Sequence, residues 1–533
     1  MDDFIVSSSE WVTMGRVASL FSIRPGAPAR PQVMPDWLER QAAAAGQAPA
    51  IIARGVRWSF ADLDAVATRR AGQLCTLGVE PGDHIALLLG NSAEFAALVH
   101  AATKLDAVLV PLNIRLTPAE LAWQLADSGA RLLIHDGART AAALAASADL
   151  PGLRCYGVGA GLAKDTPALD AVSATWIDRH EGIDLDRVQS IIYTSGTTGR
   201  PKGAMLTYGN HWWSAIGSAL NLGTHTGDRW LACLPLFHVG GQAILLRSAI
   251  YGVPAIIHEQ FDPAAVNRAI DEDGVTIISV VATMLARMLD ERGDRPYPPT
   301  LRTVLLGGGP APRPLLEACA ARGVPVVQTY GLTEAASQVA TLAPGDALRK
   351  LGSAGKPLLP TQLRVVGPDG DRGPGEVGEI IVRGPTVTPG YLGRPDATAR
   401  ALRGGWLYTG DLGYLDSEGY LYVVDRRDDL IISGGENIYP AEVEAVLLAH
   451  PAVAEAGVIG VADARWGQVV CAFVRVRPAH APAADELIAF CRERLARYKV
   501  PATIRFVETL PRNAAGKLLR RALRPDAAEE MQP

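Results

Sequence analysis

The segment Thr194-Ser-Gly-Thr-Thr-Gly-Arg-Pro-Lys-Gly203 combines four hydroxyl side chains, three glycines and one lysine within ten residues. It follows the apolar run Ser190-Ile-Ile-Tyr193, which predicts a buried strand. Such a loop can direct backbone N–H groups, hydroxyl groups and an ammonium group at one point, which is typical of a polyphosphate site. It differs from the pattern G-x-x-x-x-G-K-[ST], because Lys202 follows Arg-Pro and precedes glycine. The sequence therefore predicts phosphate binding by a loop of another design.

Two later segments could complete a nucleotide site. Val304-Leu-Leu-Gly-Gly-Gly-Pro-Ala-Pro312 is an apolar run ending in three glycines, which would let a flat base lie against backbone. A structural glycine-rich turn is the alternative. In Val327-Gln-Thr-Tyr-Gly-Leu-Thr-Glu-Ala335, Tyr330 could stack on adenine, Thr333 could donate to a phosphate and Glu334 could bind Mg²⁺. Taken alone, Glu334 equally fits a solvated carboxylate near a helix start.

Two further segments each contain one charged residue that is a candidate for the nucleotide site. Gly405-Trp-Leu-Tyr-Thr-Gly-Asp411 places Asp411 after a tight turn, where its carboxylate could accept hydrogen bonds from two ribose hydroxyls. A turn-forming aspartate in a surface loop is the alternative. Leu510-Pro-Arg-Asn-Ala-Ala-Gly-Lys517 places Lys517 on a glycine-containing loop, from which its charge could reach a carboxylate–phosphate junction. An exposed lysine without function is the alternative.

The elements that must position these segments alternate between strand and helix. A predicted helix over 60–77 follows Ser59, and a predicted strand over 84–89 precedes a predicted helix over 93–104. Continuous apolar strands separated by helices predict an α/β fold with parallel or mixed sheets flanked by helices.

A charge cluster, Asp425-Arg-Arg-Asp-Asp429, marks a change in composition between two predicted strands. A polar segment between compact regions is typical of a domain boundary. We therefore predict a weakly structured extension over 1–33, an N-terminal domain over 34–427 and a small mobile α+β domain over 428–533. The last domain is predicted to contain helices over 441–448 and 484–498. Met34 is an alternative start of translation.

The composition excludes several classes of protein. The 533 residues carry a net charge of −5, which leaves no basic footprint for nucleic acid. No apolar run approaches the ~20 residues that span a bilayer, and the acidic start Met1-Asp-Asp-Phe4 is unlike a signal peptide. Six scattered cysteines without a C-x-x-C pair favour reduced thiols. These features predict a cytoplasmic enzyme that acts on small molecules. They do not fix the oligomeric state, and a homo-oligomer is one alternative.

In order and spacing, these five segments resemble the motifs of the adenylate-forming superfamily of acyl-CoA synthetases, peptide adenylation domains and luciferases. The resemblance spans residues 34–525. It implies an enzyme that activates a carboxylic acid with ATP and Mg²⁺ to an acyl-adenylate and then transfers the acyl group to coenzyme A. It also implies that the N-terminal domain holds the ATP and acyl sites, and that the C-terminal domain is a lid that rotates between the two half-reactions.

The resemblance also implies roles for individual positions. The ATP site would comprise Thr194, Ser195, Gly196, Thr197, Thr198, Gly199, Lys202, Gly308, Gly309, Pro310, Thr329, Tyr330, Gly331, Asp411 and Arg426. Thr333 would contact the α-phosphate and Glu334 the metal, while Lys517 would bridge the acid and the α-phosphate. Asp428 would be the hinge of the lid. After the rotation, the segment of Ser433, Gly434 and Gly435 would line the tunnel for the pantetheine arm.

Four stretches narrow the resemblance to the o-succinylbenzoate–CoA ligase family of menaquinone biosynthesis, namely 234–242, 305–312, 350–357 and 429–442. The acid of that family carries two carboxylates and a ketone. One carboxylate is activated, so the other needs a permanent partner, which we predict to be Arg247. The other predicted acyl contacts are His238, Thr283 and Gly307. A core histidine bonded to backbone is the alternative for His238, which otherwise joins Lys517, Glu334 and Thr333 as a catalytic residue.

One departure and several rivals remain. Gly240 stands where that family commonly has serine, so a polar contact is missing or replaced by water. The main rival is a medium-chain or aryl acid CoA ligase. A carrier-protein-loading adenylation enzyme is a more distant one, because no carrier domain follows. A catalytically dead nucleotide-binding regulator is disfavoured by the presence of Lys517, Glu334 and Asp411.

Overall fold

The computed structural model describes residues 33–177, 182–194, 200–308, 313–347, 349–426, 431–438, 440–477, 480–511 and 520–523. They form sheets of seven, nine and six strands in the N-terminal part and a five-stranded sheet in the C-terminal part. Within these ranges, no helix combines the length and the apolar character that a membrane crossing requires.

The α-helices of the described residues flank these sheets. In chain order they are α1 Trp37–Ala45, α2 Phe60–Thr76, α3 Ala93–Leu105, α4 Pro118–Ser128, α5 Thr140–Ser147, α6 Tyr208–Leu222, α7 Val239–Tyr251, α8 Pro263–Glu272, α9 Ala282–Arg292, α10 Arg313–Ala321, α11 Pro395–Ala401, α12 Pro440–Leu448 and α13 Ala484–Arg492. The helices predicted over 60–77, 93–104 and 441–448 are confirmed to within one residue at each end.

The strands of the same residues are mostly short. In chain order they are β1 Val33–Met34, β2 Pro49–Ala53, β3 Val56–Ser59, β4 His84–Leu88, β5 Val108–Pro111, β6 Leu132–Asp136, β7 Arg154–Val158, β8 Ile183–Asp184, β9 Val188–Thr194, β10 Lys202–Thr207, β11 Trp230–Ala232, β12 Ala255–Ile257, β13 Ile277–Val280, β14 Thr303–Leu306, β15 Val326–Tyr330, β16 Ala340–Thr341, β17 Lys356–Pro357, β18 Gln362–Gly367, β19 Gly370–Asp371, β20 Gly378–Arg383, β21 Gly390–Tyr391, β22 Leu402–Arg403, β23 Trp406–Leu415, β24 Leu421–Arg426, β25 Ile431–Ser433, β26 Glu436–Ile438, β27 Val453–Asp463, β28 Gly467–Val476 and β29 Thr503–Phe506.

The seven- and nine-stranded sheets are parallel at their centres, and antiparallel at one edge and at both edges, respectively. The first has the order β21-β10-β9-β5-β4-β6-β7 and is antiparallel only at β21-β10-β9. The second has the order β17-β16-β15-β14-β13-β11-β12-β2-β3 and is antiparallel at β17-β16-β15 and at β2-β3. The predicted α/β fold with mixed sheets is therefore confirmed.

One hydrophobic cluster joins these two sheets through α2 and α3. It includes Leu109 of β5 and Ala232 of β11 together with Leu63, Leu74 and Leu98 of the two helices. Twelve of the thirteen residues of α3 are buried. Parallel strands must be covered on both faces, and this helix layer covers one face of each sheet.

The six-stranded sheet is antiparallel, with the order β19-β18-β20-β23-β22 and β24 paired to β23. Asp411 lies inside β23 and is buried. The alternative of a turn-forming aspartate in a surface loop is therefore wrong for Asp411.

The C-terminal sheet has the order β26-β25-β28-β27, with β29 parallel to β28. It packs against α12 and α13 through one cluster that includes Val443, Leu487 and Val470. The helix predicted over 484–498 is too long, because α13 ends at Arg492 and a 3₁₀ turn, Arg497–Lys499, follows. In that turn, Tyr498 and Lys499 contact Asn113 and Glu120 of the N-terminal part, and such tertiary contacts are not represented in helix propensity. The boundary predicted at 427/428 lies outside the described residues.

Candidate functional site

Two adjoining cavities lie where the C-terminal sheet meets the N-terminal part. The smaller, of about 120 Å³, is lined by Thr194, Glu334 and Lys499 among others. The larger, of about 230 Å³, is mainly apolar and reaches Arg247. Both cavities share four lining residues, which are His238, Leu332, Thr333 and Glu436. The two spaces therefore form one continuous site with a junction at these residues.

Glu334 lies in the smaller cavity, just after strand β15. Its Oε1 accepts hydrogen bonds from the hydroxyl groups of Thr194, at 3.3 Å, and Tyr391, at 2.9 Å. Lys202 Nζ lies 5.4 Å from the centre of the Tyr391 ring. Burial, together with the nearby charge of Arg400, lowers the pKa of Lys202. This end of the site thus holds a carboxylate, hydroxyl groups and an ammonium group.

This donor set fits a metal ion that arrives with a nucleotide. Mg²⁺ prefers oxygen ligands and is usually held by one or two carboxylates, with phosphate oxygens and water completing its shell. Glu334 provides one such carboxylate. In the part of the chain that the structure describes, no three His, Cys, Asp or Glu side chains are grouped as metal ligands.

Asp411 and Tyr330 connect β23 to the end of β15. The Tyr330 hydroxyl donates to Asp411 Oδ2 at 2.7 Å, and both side chains are buried. Tyr330 also packs into an apolar cluster with Ala335 and Ile380. Arg426 is the backbone partner of Asp411 across β23 and β24. The phenol of Tyr330 therefore orients the Asp411 carboxylate.

Several predicted site residues lie outside the described residues, namely Ser195, Gly196, Thr197, Thr198, Gly199, Gly309, Pro310, Asp428 and Lys517. For Thr283 and Arg426 only the backbone is described. Of the remaining members of the predicted ATP site, Thr194 lines the smaller cavity, and the larger cavity is lined by Gly308, Thr329 and Gly331. Lys202 begins β10, and Asp411 lies inside β23 and is bonded to Tyr330, and these three residues line neither cavity.

Arg247 lies on α7 at the far end of the larger cavity and is 3% exposed. Its Nη2 donates to Ser214 Oγ at 3.2 Å and to Gln338 Oε1 at 3.3 Å, while its Nε has no partner among the described residues. The guanidinium carbon lies 5.4 Å from the centre of the Trp230 ring. No carboxylate of the described residues forms an ion pair with it, and burial lowers its pKa. Arg247 is thus a buried cation with neutral partners only.

Glycines form much of the remaining wall of the larger cavity. A Cβ at Gly307 would lie 3.0 Å from Thr329 Cγ2, so a side chain there would press on the wall. Thr329 itself donates from its hydroxyl to the Ala340 carbonyl at 3.0 Å. By contrast, the nearest atom to a Cβ at Gly240 would be Leu234 Cδ1, at 3.8 Å. Gly240 therefore leaves space where a serine would fit.

The C-terminal sheet closes the cavity with Gly434, Gly435 and Glu436. Glu436 Oε1 accepts a hydrogen bond from Arg115 Nη1 at 2.8 Å, and its Oε2 lies 3.3 Å from His238 Nε2. Burial alone would raise the pKa of Glu436, but His238 and Arg115 outweigh burial and lower it. His238 lines both cavities and bonds to this carboxylate, so it faces the site.

A second set of contacts joins the two parts beside the smaller cavity. Lys499 Nζ donates to Glu442 Oε1 at 2.7 Å and to Glu120 Oε1 at 3.0 Å. Asn113 Nδ2 donates to the Tyr498 hydroxyl at 3.0 Å. Glu442 and the Tyr498–Lys499 turn belong to the C-terminal part, whereas Asn113 and Glu120 flank the start of α4. Sequence reasoning missed these residues, because no local pattern distinguishes them from surface charges.

The chain belongs to a known family. The profile of the AMP-binding enzyme family matches residues 38–392, and the profile of the AMP-binding enzyme C-terminal domain matches residues 442–517. The first match covers more than half of the chain. This protein is a member of the AMP-binding enzyme family. The predicted relationship to adenylate-forming enzymes is thereby confirmed.

Individual relatives are close to this family member over almost its whole length. It is 55% identical to 2-succinylbenzoate–CoA ligase of Geobacillus kaustophilus over 491 residues, which cover 92% of this chain and 97% of the relative. Among solved structures, it is similar to o-succinylbenzoate CoA synthetase of Bacillus subtilis, solved as a double mutant bound to a product analogue. The TM-score is 0.86 and the sequence identity is 44%, and the match covers 92% of this chain and 98% of the B. subtilis chain. The same B. subtilis enzyme in complex with ATP and magnesium matches with a TM-score of 0.70 and 44% identity over 92% and 99%.

Proposed function

We propose that this AMP-binding enzyme is an ATP-dependent 2-succinylbenzoate–CoA ligase of menaquinone biosynthesis. A carboxylate oxygen of the acid attacks the α-phosphorus of ATP and displaces pyrophosphate. The thiolate of CoA then attacks the acyl carbon of the adenylate and displaces AMP, which leaves o-succinylbenzoyl-CoA. The observation that carries the proposal is Arg247, a buried cation without a carboxylate partner among the described residues. The names of the close relatives support the same substrate.

The charge of Arg247 defines what the acyl cavity accepts. A buried cation is stable only when an anion and hydrogen-bond acceptors offset its lost hydration. A fatty acid would leave Arg247 unpaired against its alkyl chain, whereas a second carboxylate pairs with it. An apolar cavity of ~150 Å³ holds a benzene molecule. The volume of about 230 Å³ therefore leaves room for an aryl ring with substituents.

The two ends of the site suit the two carboxylates of this acid. Arg247 lines only the larger cavity, whereas Thr333 and His238 lie at the junction with the nucleotide side. We infer that the succinyl carboxylate, which the family resemblance implies is the activated one, lies at the junction, where it meets the α-phosphate. The aryl carboxylate is placed against Arg247.

The described nucleotide residues act by binding and orientation. Thr194 and Lys202 hold phosphate oxygens, Thr333 donates to the α-phosphate, and Asp411 accepts hydrogen bonds from the ribose. Glu334 would hold Mg²⁺, which neutralises charge on the phosphates when it is bound. Lys517, which the structure does not describe, is proposed to place its ammonium group between the acid and the α-phosphate.

We infer that the two parts of the chain have the arrangement of the second half-reaction. The TM-score is 0.86 with the product-analogue complex but 0.70 with the ATP–magnesium complex of the same B. subtilis enzyme. Sequence identity is 44% in both cases, so the difference in TM-score comes from the arrangement of the chain. Gly434 and Gly435 line the acyl cavity in this arrangement. We infer that they border the path of the thiol, and that Asp428 is the hinge of the rotation.

Three further features are proposed with this function. The boundary between the N-terminal domain and the lid is placed at 427/428, next to the hinge. A cytoplasmic location is supported by six cysteines that are all unpaired, which is typical of a reducing compartment. The partners are small molecules, and no nucleic acid is expected to bind.

A substrate panel tests the proposal. The purified protein with ATP, Mg²⁺ and CoA should convert 2-succinylbenzoate to its thioester with a higher kcat/KM than benzoate or octanoate. Arg247→Leu should raise KM for the dicarboxylate by about 150- to 5,000-fold and leave KM for ATP unchanged, since breaking a buried ion pair costs ~3–5 kcal/mol. A higher kcat/KM for benzoate or octanoate would assign the enzyme to the aryl or medium-chain CoA ligases instead.

A further inference from the structure

Gln338 lies beside Arg247 in the acyl cavity and is 2% exposed. It follows Ala336 and Ser337, whose φ angles of 51° and 94° are left-handed conformations that are costly for residues with a side chain. The turn is so tight that a Cβ at Gly331 would lie 1.5 Å from the Ser337 carbonyl oxygen. The strained backbone therefore holds Gln338 in one place.

The orientation of the Gln338 amide follows from its neighbour. Arg247 Nη2 lies 3.3 Å from the amide group, and a guanidinium can only donate hydrogen bonds. The atom that faces Arg247 must therefore be the amide oxygen. The Nε2 group then points away from Arg247, and it has no hydrogen-bond partner among the described residues.

The neighbouring Ser214 does not accept a hydrogen bond from this amide in the structure. Its hydroxyl donates to the Ala336 carbonyl at 2.6 Å and accepts from Arg247 at 3.2 Å. Gln338 Nε2 and Arg247 Nε are therefore two buried donors without acceptors in the described part of the site. A buried polar group without a partner is costly unless a ligand completes it.

A second buried glutamine, Gln73, also bonds to an arginine, but its amide nitrogen has a hydrogen-bond acceptor. Gln73 Oε1 accepts from Arg70 Nη1 at 2.9 Å, and its Nε2 donates to the Val172 carbonyl at 3.1 Å. Both glutamines thus turn their oxygen to an arginine. Of these two glutamines, Gln338 is the one whose nitrogen has no acceptor among the described residues and the one that lines the acyl cavity.

We propose that Gln338 is a specificity-determining residue whose Nε2 donates a hydrogen bond to the non-activated, aryl carboxylate of the acid, while Arg247 supplies the charge. This inference rests on the proposed function of the acyl site. A carboxylate offers two acceptor oxygens, one for each donor residue, and bears the charge that Arg247 requires. A ketone or hydroxyl would satisfy the amide but leave the cation unpaired.

The test compares 2-succinylbenzoate with 4-oxo-4-phenylbutanoate, which lacks only the aryl carboxylate. Gln338→Met keeps the side-chain length and removes the donor. It should lower the kcat/KM ratio of the dicarboxylate to the monocarboxylate by about 10- to 100-fold, mainly through KM, as expected for one hydrogen bond to a charged group. Gln338→Glu should lower the ratio further, because its carboxylate pairs with Arg247 and repels the substrate. Gln73→Met is the matched control and should leave the ratio unchanged.

The outcomes separate the inference from the function on which it rests. If the wild-type enzyme prefers the dicarboxylate but both Gln338 variants affect the two acids equally, Gln338 only supports the fold and the inference is wrong, while the function stands. If the wild-type enzyme prefers the monocarboxylate, the proposed function fails and the inference fails with it. KM for ATP serves as a further readout, and it should not change in either variant.

Discussion

Arg247 and Lys499 are both buried cations beside the active site, yet their surroundings are opposite. Lys499 has two carboxylate partners, at 2.7 and 3.0 Å, and these outweigh burial and raise its pKa. Arg247 has only neutral partners among the described residues, and burial lowers its pKa. The first cation is neutralised by the protein itself and joins two parts of the chain. The second lacks a counter-ion, which is the property expected of a binding site for an anionic ligand.

The largest expected effect concerns Lys499. Lys499→Met would leave Glu442 and Glu120 facing each other without a cation, a change that costs ~3–5 kcal/mol for a buried pair. Because the contact joins the two parts in the arrangement that we propose for thioester formation, the rate from supplied acyl-adenylate and CoA should fall about 100- to 1,000-fold. Adenylation, measured as pyrophosphate release, should stay within about threefold.

A lysine with two carboxylates inside one domain is the control for this variant. Lys350 Nζ lies 2.6 Å from both Asp416 and Glu418. Lys350→Met should leave both half-reactions near their wild-type rates. Equal losses of both half-reactions in Lys499→Met would mean that Lys499 supports the fold and is not specific to one arrangement.

Lys517→Ala should give the reverse pattern. The proposed position of its ammonium group, between the acid and the α-phosphate, stabilises charge only during adenylation, and one such donor is worth ~100-fold or more in rate. Pyrophosphate release should therefore fall about 100-fold, while thioester formation from supplied acyl-adenylate is spared. A similar loss in both steps would contradict the use of different lid faces for the two half-reactions.

The two kinds of buried cation should also differ in their effect on stability. Arg70, like Lys499, has its own carboxylates, Glu94 at 2.9 Å and Asp170 at 2.7 Å. Arg70→Leu should lower the free energy of unfolding by about 3 kcal/mol, since it breaks a buried network. Arg247→Leu should leave that free energy unchanged or raise it slightly, because it removes an uncompensated charge. Urea unfolding monitored by fluorescence measures both, and a comparable loss in the two variants would refute the distinction.

His211 reports on the charge of Arg247 through pH. Burial, and then the charge of Arg247, lower the pKa of His211 from 6.5 to about 3. Below pH 6.5 the unfolded chain binds a proton that the folded state does not, so stability falls as the pH decreases towards 3. His211→Asn should recover about 2 kcal/mol of that loss at pH 5, because pH 5 lies ~1.5 units below the pKa of the unfolded histidine and each unit is worth ~1.4 kcal/mol. An unchanged pH dependence in urea unfolding would show that His211 is protonated in the folded state.

The smallest expected effect is that of a neutral hydrogen bond between the C-terminal and N-terminal parts, at the contact that also contains Lys499. Tyr498→Phe removes the hydrogen bond from Asn113 and should slow thioester formation less than tenfold, because a neutral hydrogen bond contributes ~1 kcal/mol. A loss as large as that of Lys499→Met would mean that the charges do not dominate the interface. Stopped-flow measurement of CoA consumption would resolve both values.

Local patterns in the sequence predicted much of this molecule. The strands and helices around β4, α2 and α3 follow from apolar runs and from Ser59, whose side chain caps α2. The loop at 194–203 and Glu334 could be identified because their chemistry lies in short segments. The structure confirms the mixed α/β fold.

The contacts that decide the acid and the lid position could not be predicted in this way. Lys499 and Glu120 are 379 residues apart, and Arg247 and Gln338 are 91 residues apart. No local pattern shows that these pairs meet. The predicted helix over 484–498 was too long, and the contacts of Tyr498 and Lys499 in the 3₁₀ turn after α13 are likewise distant in the sequence.

The two carboxylate oxygens of Glu120 accept hydrogen bonds from different parts of the molecule. Its Oε2 accepts from the Thr117 backbone N–H at 2.8 Å and so completes the capping box of α4, while its Oε1 accepts from Lys499. The helix start therefore fixes the carboxylate whether or not the lid is docked. A side chain that is already ordered loses little conformational entropy when a partner arrives. In the proposed cycle, the lid would therefore dock at a contact point that needs no rearrangement, which lowers the entropic cost of forming this arrangement.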